Sequence, residues 1–383
     1  MTRKALQILH GKLVLAKRVN RSYDDRFAKT GAKIGDSLLI RLPNQYTVRT
    51  GKNLNAQDTS ETSTTLQVAT QAGVDTTFST AELTMSIDDF SERVLEPAMA
   101  VLAANVEDTI AARYVDIPNV VGTAGTTPAS MLTILQAGAR LDDHLAPRDG
   151  KRTVALSPLA MANMVDAYKG LFQRESKIAN QFDNGLIEDM ASGFKWGMCP
   201  VINSHTNSAG TTASTVNDTV ASGDSTVTIT TTTTAYSAGT VVTFAGCYDV
   251  NPETKSAYTH LKQFVVTSAT ATVLTVSPSI VTSGATQNCS AVPTNGGAVT
   301  VVGSADGIYP QHLAFHKDFL TLATADLEDV SKYGAWGARE VYDGISMRIA
   351  RQYDINSDNV PCRIDILFGV KTIRPELAVR ITG

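Results

Sequence analysis

The chain is poor in cysteine, aromatic residues and charge, and each shortage excludes a class of protein. Its 383 residues include four cysteines, 6% aromatic residues and 18% charged residues. The cysteines, at positions 199, 247, 289 and 362, lie far apart in the sequence and form no C-x-x-C pair. This spacing argues against a disulfide scaffold and against a thiolate zinc site. We expect four isolated, reduced thiols in a cytosolic product.

Long apolar runs are also missing. The first ten residues, MTRKALQILH, contain basic side chains but too short an apolar run for the core of a secretory signal. No uncharged apolar stretch approaches the roughly 20 residues that span a bilayer, so we expect no membrane association. Apolar residues still make up 43% of the chain and are spread throughout it. A sizeable core can therefore be buried, and a disordered chain is excluded.

Motifs for catalysis and metal binding are absent as well. There is no G-x-S-x-G elbow, no phosphate-binding P-loop and no dinucleotide fingerprint. His312 and His316 are four residues apart, but they lack the H-E-x-x-H frame and lie in a predicted strand, so we assign them a structural role. Ser157 is predicted to cap a helix, and the acidic pair 142–143 beside His144 is predicted to be structural. We expect no enzymatic activity, no cofactor and no metal.

Charge is unevenly distributed along the chain. The segment Met1–Lys33 has nine Lys or Arg residues and two acidic residues, a net charge of +7, whereas the whole chain carries −4. A basic segment on an acidic body can meet an acidic protein or a nucleic acid, although a solvated helix face is the alternative. No nucleic-acid reading motif is present, so sequence-specific DNA binding is not expected. The candidate contact residues in this segment are Lys12, Lys17, Arg18 and Arg21.

The next segment predicts an extended hairpin. Gly35–Val48 has the pattern of a strand, and Pro43 within it predicts an edge or bulged strand. Arg49–Thr65 is almost free of apolar residues, and alternation returns over Leu66–Ser79. Because a lone hairpin is only marginally stable in water, it needs a partner surface. The candidate assembly residues at this tip are Arg49, Lys52, Asn53, Asp58 and Glu61; we do not expect Lys52 and Asn53 to form a crosslink.

Helices and strands alternate in the rest of the body, which predicts an α+β fold. Ser86–Val115 contains the strongest helix, with Pro97 in its first turn. A second helix is predicted to be capped by Thr127, with Pro128 at its first position. The predicted apolar stripes are Ala98, Val101, Leu102, Val106 and Ile110 on the first helix, and Leu132, Leu135, Ala139 and Leu141 on the second. Further elements are predicted at Thr153–Leu156 (strand), Pro158–Leu171 (helix), and His312–Leu322, Val341–Gln352, Arg363–Val370 and Leu377–Ile381 (strands).

The segment Ser204–Ser304, here called the insert, differs sharply in composition. It has six charged side chains in 101 residues, about 6%, against about 23% elsewhere, and it is rich in Thr, Ser, Gly and Val. Short predicted strands separated by turn residues suggest a small β-barrel or sandwich inserted into the body. The predicted strands are Thr226–Thr234, Gly239–Ala245, Leu261–Ser268, Thr272–Ser277 and Ala298–Gly303.

The order of these parts resembles the Hong Kong 97 fold of tailed-phage capsid proteins, in particular the podovirus coat-protein type with a β-barrel insertion domain. The similarity is carried by LAANVEDTIAARY (Leu102–Tyr114) in the spine helix and by LDDHLAPRDGKRTVALSP (Leu141–Pro158) in the apical domain. It is also carried by FGVKTIRPELAVRI (Phe368–Ile381) in the terminal strand. Within the insert, GTVVTFAG (Gly239–Gly246) and FVVTSATATVLTVSPSI (Phe264–Ile280) are similar to the insertion domain of that subgroup.

This resemblance implies a structural role in a virus particle. Coat proteins of this type form pentamers and hexamers that build an icosahedral shell on a scaffolding protein around a portal, and the shell encloses double-stranded DNA. We therefore expect a virion protein made in the host bacterial cytoplasm; a β-rich adhesin and a hydrolase with an accessory β domain are the alternatives. The implied parts are an N-terminal arm (1–34), an extended hairpin loop (35–85), a peripheral domain with the spine helix (86–127), an apical domain in two parts (128–203 and 305–345) around the inserted barrel (204–304), and C-terminal peripheral strands (346–383).

Overall fold

The computed structural model describes residues 2–22, 37–54, 56–57, 61–79, 91–168, 187, 190–207, 214–230, 235–328, 330–342, 345–356 and 358–382. The chain divides into two compact units. Unit 1 comprises Met1–Arg41, Ser63–Ile110 and Leu320–Ile373. Unit 2 comprises Leu42–Thr62, Ala111–Phe319 and Arg374–Gly383.

Helices and strands both contribute, which confirms the predicted α+β class. The α-helices are α1 (Thr2–Lys12), α2 (Glu96–Ala111), α3 (Met131–Asp143) and α4 (Pro158–Tyr168). A π-helical turn, Ser91–Leu95, precedes α2, and a 3-10 turn, Ala112–Asp116, follows it. The strands are β1 (Ser37–Arg41), β2 (Ser63–Gln67), β3 (Thr70–Ser79), β4 (Val120–Val121), β5 (Arg152–Leu156), β6 (Met190–Ala191), β7 (Phe194–Met198), β8 (Ser204–Thr206), β9 (Ser214–Thr215), β10 (Thr226–Thr228), β11 (Val241–Val250), β12 (Ala257–Ala269), β13 (Val273–Ser277), β14 (Ala298–Val301), β15 (Ile308–Pro310), β16 (His312–His316), β17 (Leu320–Ala325), β18 (Trp336–Tyr342), β19 (Ile345–Arg351), β20 (Asn359–Thr372) and β21 (Ala378–Ile381).

Unit 1 is organised around the long strand β20. It pairs antiparallel with β17, β19 and β3, and β18 continues the sheet beyond β19. Strands β1 and β2 form an antiparallel hairpin, as predicted, but its second strand begins at Ser63, and most of the predicted second strand is β3, which pairs with β20. Its buried residues Ile40 and Leu66 pack in one apolar cluster with Ala323 and Leu367. β1 ends at Arg41, so Pro43 lies beyond the strand and not inside it as predicted.

Helix α2 lies within the predicted segment and spans the whole predicted stripe, but one residue of that stripe is wrong. Val101 is 65% exposed, whereas Leu102, Val106 and Ile110 are buried as predicted. At about 100° per residue, Val101 lies about 140° around the helix from Val106. The buried face turns the other way and includes Met99.

The body of unit 2 is a six-stranded sheet in the order β4-β21-β16-β5-β7-β6. Helix α3 packs against β21 and β4 of this sheet. The predicted helix start is wrong, because the N-cap is Ser130, whose hydroxyl accepts a hydrogen bond from the Leu132 N–H at 3.2 Å. Thr127 and Pro128 therefore precede the helix and do not begin it.

The predicted apolar stripe of α3 is also wrong for most of its length. Leu132 and Leu135 are 61% and 45% exposed. Leu132 lies about 180° around the helix from the buried Leu141. Two apolar periodicities coexist in this helix, and the structure buries the one with smaller side chains: Thr133, Ile134, Ala137, Gly138 and Leu141.

A second six-stranded sheet of unit 2 lies within the insert, in the order β10-β13-β12-β11-β14-β9. It has its own apolar core, in which the rings of Phe244 and Phe264 lie 5.5 Å apart. All five predicted strands are present; β12 is longer than expected, and β10 covers only the start of its prediction, whose end lies outside the described residues. Strands β8 and β15, at the two ends of the insert, pair antiparallel with His205 opposite Tyr309. The chain therefore enters and leaves the insert at adjacent points.

Candidate assembly surface

The hairpin tip, residues 42–62, connects β1 to β2 and is held in shape by its own polar groups. The Gln57 side chain accepts from the Thr47 N–H at 2.8 Å and donates back to the Thr47 carbonyl. The Arg49 guanidinium donates to the carbonyls of Asn53, at 2.7 Å, and Gly51. The tip is thus a preformed turn, and Arg49 helps to build it.

Three apolar side chains of this tip are exposed. Val48 and Leu54 are 90% and 87% exposed, and Tyr46 is 56% exposed. Single exposed apolar residues are common on protein surfaces, but three within nine residues on one loop, here called the apolar patch, make the loop a candidate interaction site. The sequence interpretation stressed the polar character of the tip and missed this patch.

Three of the predicted polar contact residues of the tip are at the surface. Lys52, Asn53 and Glu61 are exposed. The Asn53 carbonyl accepts the hydrogen bond from Arg49, so these two residues are brought together. Asp58 lies outside the described residues.

The N-terminal segment packs against unit 1, to which it belongs. Leu6 and Leu9 of α1 are buried, and α1 contacts β18 and β19. After the helix, the Glu107 carboxylate accepts hydrogen bonds from the backbone N–H groups of residues 14, 15 and 16 at 3.0, 2.7 and 3.0 Å. Asn20 then exchanges backbone hydrogen bonds with Leu320 and Leu322 of β17. Much of the predicted arm is therefore docked on its own subunit.

The basic side chains of this segment are only partly available to a partner. Lys12 is exposed, whereas Lys17, Arg18 and Arg21 are half-buried. Burial lowers the pKa of Arg18, and the nearby Glu107 carboxylate opposes that effect. Burial also raises the pKa of Glu107 itself, although the three backbone donors and Lys17 act in the opposite direction. The structure thus brings Lys17 and Arg18 to an acid of the same chain.

A buried charge cluster joins the insert sheet to helix α3. Asp249 of β11 is 1% exposed, and its Oδ1 accepts from Lys262 Nζ of β12 at 3.0 Å. Its Oδ2 lies 3.4 Å from His144 Nε2, 3.5 Å from His260 Nε2 and 3.7 Å from the Arg140 guanidinium. Burial alone would raise the pKa of Asp249, but the surrounding cationic groups outweigh burial and lower it. Burial and the neighbouring Lys262 lower the pKa of His144 to about 3.

A fully buried arginine makes a second connection. The Arg380 guanidinium of β21 donates to the Ile117 carbonyl through Nε at 2.8 Å and to the Gly239 carbonyl through Nη1 at 2.7 Å. It also lies 5.3 Å from the centre of the Tyr114 ring. Burial lowers its pKa to about 9. One side chain thus ties the C-terminal strand to both the body and the insert of unit 2.

The sequence interpretation assigned no role to Glu107, Asp249 or Arg380. A signal existed for Asp249 and Lys262, because they are two of only six charged residues in the insert. Charged residues are almost never fully buried unless they are paired. The opposite charges of Asp249 and Lys262, in a segment with so few charges, could therefore have been predicted to form a buried pair.

The predicted structural roles of the histidines and Ser157 agree with their contacts. His312 Nδ1 accepts from the Ser157 N–H at 3.2 Å, and His316 Nε2 lies 3.1 Å from Asp149 Oδ1. The Ser157 hydroxyl accepts from the Ala160 N–H at 3.3 Å, as expected of a cap. Within the described ranges, no group of three His, Cys, Asp or Glu side chains could hold a metal ion. No helix in these ranges is long and apolar enough to cross a membrane.

Several solved structures are similar to this chain at low identity. A structure from Mycobacterium phage Che8 is 12% identical, with 96% of this chain and 90% of that chain covered and a TM-score of 0.49. The capsid of Ralstonia phage GP4 is 8% identical, with 95% and 86% covered and a TM-score of 0.46. The mature capsid of bacteriophage PhiM1 is 10% identical, with 93% and 83% covered and a TM-score of 0.42.

Sequence comparison identifies the family. No curated protein sequence matches this chain. The family model described as P22 coat protein, gene protein 5, matches residues 1–383. Because this match extends over the whole chain, the chain belongs to the P22 coat protein family and is a major capsid protein that forms the shell of a phage.

Proposed function

We propose that the chain adopts the Hong Kong 97 fold with an inserted β-barrel and assembles into pentamers and hexamers of an icosahedral shell. In this proposal residues 1–34 are the N-terminal arm, 35–85 the extended hairpin loop, 86–127 and 346–383 the peripheral domain, and 128–203 and 305–345 the apical domain around the insert. The pairing of β8 with β15 supports the insert boundaries, because it brings the ends of the insert together. The separate apolar core of the insert supports its assignment as a domain.

The observation that carries the assembly proposal is the exposed apolar patch on a preformed loop. Val48 and Leu54 gain nothing from folding within their own chain, since water reaches most of their surface. Burying them on a neighbouring subunit would contribute about 25 cal/mol for each Å² of apolar surface removed from water. The hydrogen bonds between Thr47 and Gln57 order the loop before it binds, which lowers the entropic cost of docking.

The proposed partners follow from the same parts. A scaffolding protein and a portal direct assembly in the host bacterial cytoplasm, and double-stranded DNA fills the shell without sequence-specific contacts. Among the basic residues of the N-terminal segment, the exposed Lys12 is the one proposed to meet an acidic partner. Lys52, Asn53, Asp58 and Glu61 are proposed as polar contacts around the apolar patch, with Arg49 as the residue that shapes the loop.

Replacing the apolar patch tests this proposal. We expect a Val48→Ser/Leu54→Ser chain, co-expressed with the scaffolding protein of its phage, to yield at least tenfold fewer closed shells by negative-stain microscopy and sedimentation. The matched Val48→Ile/Leu54→Met chain keeps the surface apolar and should assemble normally. Both subunits should unfold at the wild-type urea concentration, because neither residue is part of a core. A normal shell yield from the serine variant would contradict the proposed contact.

A further inference from the structure

Two of the four cysteines share the core of the insert, although the sequence spacing predicted four isolated thiols. Cys247 of β11 and Cys289, in the segment between β13 and β14, are both fully buried in the same apolar cluster. All four cysteines are free thiols.

Backbone contacts place these two stretches side by side. Cys289 forms an antiparallel bridge with Asp249, two residues from Cys247. The next residue along, Ser290, donates its N–H to the Tyr248 carbonyl at 2.9 Å, and its hydroxyl accepts from the Tyr248 N–H at 3.0 Å. Because side chains alternate along a strand, Cys247 and Asp249 point to one face, and Cys289 faces the same side. Both side chains therefore face the apolar core of the insert, where the Cys289 thiol donates to the Ala291 carbonyl at 2.8 Å.

From this arrangement we infer that Cys247 and Cys289 form an oxidisable dithiol that closes as a disulfide within the insert. The reaction needs a two-electron oxidant small enough to enter a packed core, and hydrogen peroxide meets this requirement. The thiolate of one cysteine attacks the peroxide, becomes a sulfenic acid and releases water after proton uptake. The second thiol attacks that sulfur, the S–S bond forms and a second water leaves. Two thiols and one peroxide thus give one disulfide and two waters.

The surroundings favour Cys289 as the first thiol to react. The hydrogen bond from Cys247 lowers the pKa of Cys289, and Lys262 acts in the same direction. The hydrogen bond to Cys289 raises the pKa of Cys247, and burial adds to this effect. One member of the pair is therefore prepared to lose its proton while the other keeps it, as in a nucleophile and its resolving partner.

The disulfide would fasten a part of the insert that has little regular structure. Residues 278–297 contain no strand and are held by single hydrogen bonds, such as Asn288 Nδ2 to the Ser279 carbonyl at 2.7 Å and Ser290 N–H to the Tyr248 carbonyl at 2.9 Å. A bond from Cys289 to β11 would close a loop that includes β12 and β13, and closing a loop of this length restricts the unfolded chain. If the subunit is made in a reducing cytoplasm, as the proposed function holds, the bond would form after the shell is released. Only this timing rests on the proposed function; the chemistry does not.

A chain that retains only this pair gives a direct test. In the full-length Cys199→Ser/Cys362→Ser variant, hydrogen peroxide should produce one disulfide. Peptide mass spectrometry should then detect a peptide pair that joins Cys247 to Cys289 and has lost two hydrogens. The thermal midpoint of unfolding should rise by several degrees and return to its original value after reduction. Two free thiols after peroxide treatment, counted in urea, or a disulfide that leaves the midpoint unchanged or lowers it, would overturn the inference.

Single variants in the same background test the order of reaction. Without its resolving thiol, Cys247→Ser should stop at an oxygen adduct on Cys289 and form no intramolecular disulfide. Cys289→Ser should oxidise more slowly at Cys247, because the remaining thiol is buried and no longer has its partner. Equal rates in the two variants would contradict the assignment of Cys289 as the nucleophile. Shell assembly is not measured in either experiment, so failure here is distinct from failure of the assembly proposal.

Discussion

At the scale of single residues, Arg380 is a buried cation whose partners are carbonyl groups. Such a group is costly to desolvate, so its net contribution to stability depends on the hydrogen bonds that it donates to those carbonyls. Without the guanidinium, the carbonyls of Ile117 and Gly239 lose their charged donor in the interior of unit 2. An unsatisfied buried polar group costs about 1–3 kcal/mol. We therefore expect the contacts of Arg380 to outweigh the relief gained by removing its charge.

We expect Arg380→Met, which conserves much of the side-chain volume, to lower the free energy of unfolding of unit 2 by about 2–3 kcal/mol. Arg380→Lys should cost less, because an ammonium group can still donate to one of the two carbonyls. Urea unfolding followed by the fluorescence of Trp196, which is buried in unit 2, measures both changes. A methionine variant as stable as the parent would show that the guanidinium contacts only offset its desolvation.

Glu107 is the corresponding residue in unit 1, since one carboxylate accepts three backbone N–H groups from the N-terminal segment. Glu107→Gln keeps the shape but replaces one acceptor oxygen by a donor, so at least one buried N–H loses its partner. We expect a loss of about 1–3 kcal/mol and faster trypsin cleavage after Lys17 and Arg18. Glu96→Gln, on the exposed first turn of the same helix, should change neither property. Equal cleavage rates in the two variants would contradict the role of Glu107.

At the scale of helices and strands, the alternation of apolar and polar residues predicted where most strands lie but not which strands pair with each other. Leu66–Ser79 was predicted as one strand, and it forms two: β2 pairs with β1, whereas β3 pairs with β20. The break depends on a distant residue. A side chain at Gly369 of β20 would collide with the Gln67 backbone, so glycine allows the chain to pass there. Local periodicity carries no information about such a crossing.

Helix faces were predicted less well than helix positions. In α3, apolar residues recur on two opposite faces, and the predicted face with Leu132 and Leu135 is the exposed one. The buried face uses Ala137 and Gly138, whose small size permits close packing on the sheet. Hydrophobicity alone favoured the larger leucines. The distance between helix and sheet, which decides which side chains fit, is set by the sheet and cannot be read from the helix sequence. The candidate site shows the same limit: the tip was located by its polar sequence, but the exposure of Val48 and Leu54 follows from the folded loop.

At the scale of the whole molecule, the shifted pKa values of buried groups predict opposite responses of the two units to acid. Burial lowers the pKa of four histidines in unit 2. The pKa falls to about 3 for His144 and to about 4 for His205 and His312, and it is also lowered for His260. For a base with a lowered folded-state pKa, the unfolded chain binds more protons below pH 6.5. Stability is then lost as pH falls from about 6.5 towards the folded-state values. In unit 1, burial raises the pKa of Glu107. The folded chain therefore binds this proton more tightly than the unfolded chain, and acidification towards the folded-state pKa stabilises unit 1.

The two tryptophans can separate these responses, because Trp196 lies in unit 2 and Trp336 in unit 1. In a Trp336→Phe chain, the urea midpoint reported by Trp196 should fall as pH is lowered from 7 to 5. In a Trp196→Phe chain, the midpoint reported by Trp336 should fall less or not at all. Adding His144→Gln and His312→Gln to the first chain removes two of the four groups and should flatten its pH dependence. Parallel slopes for the two units, or a slope that survives the histidine substitutions, would show that acid sensitivity arises elsewhere than in these buried imidazoles.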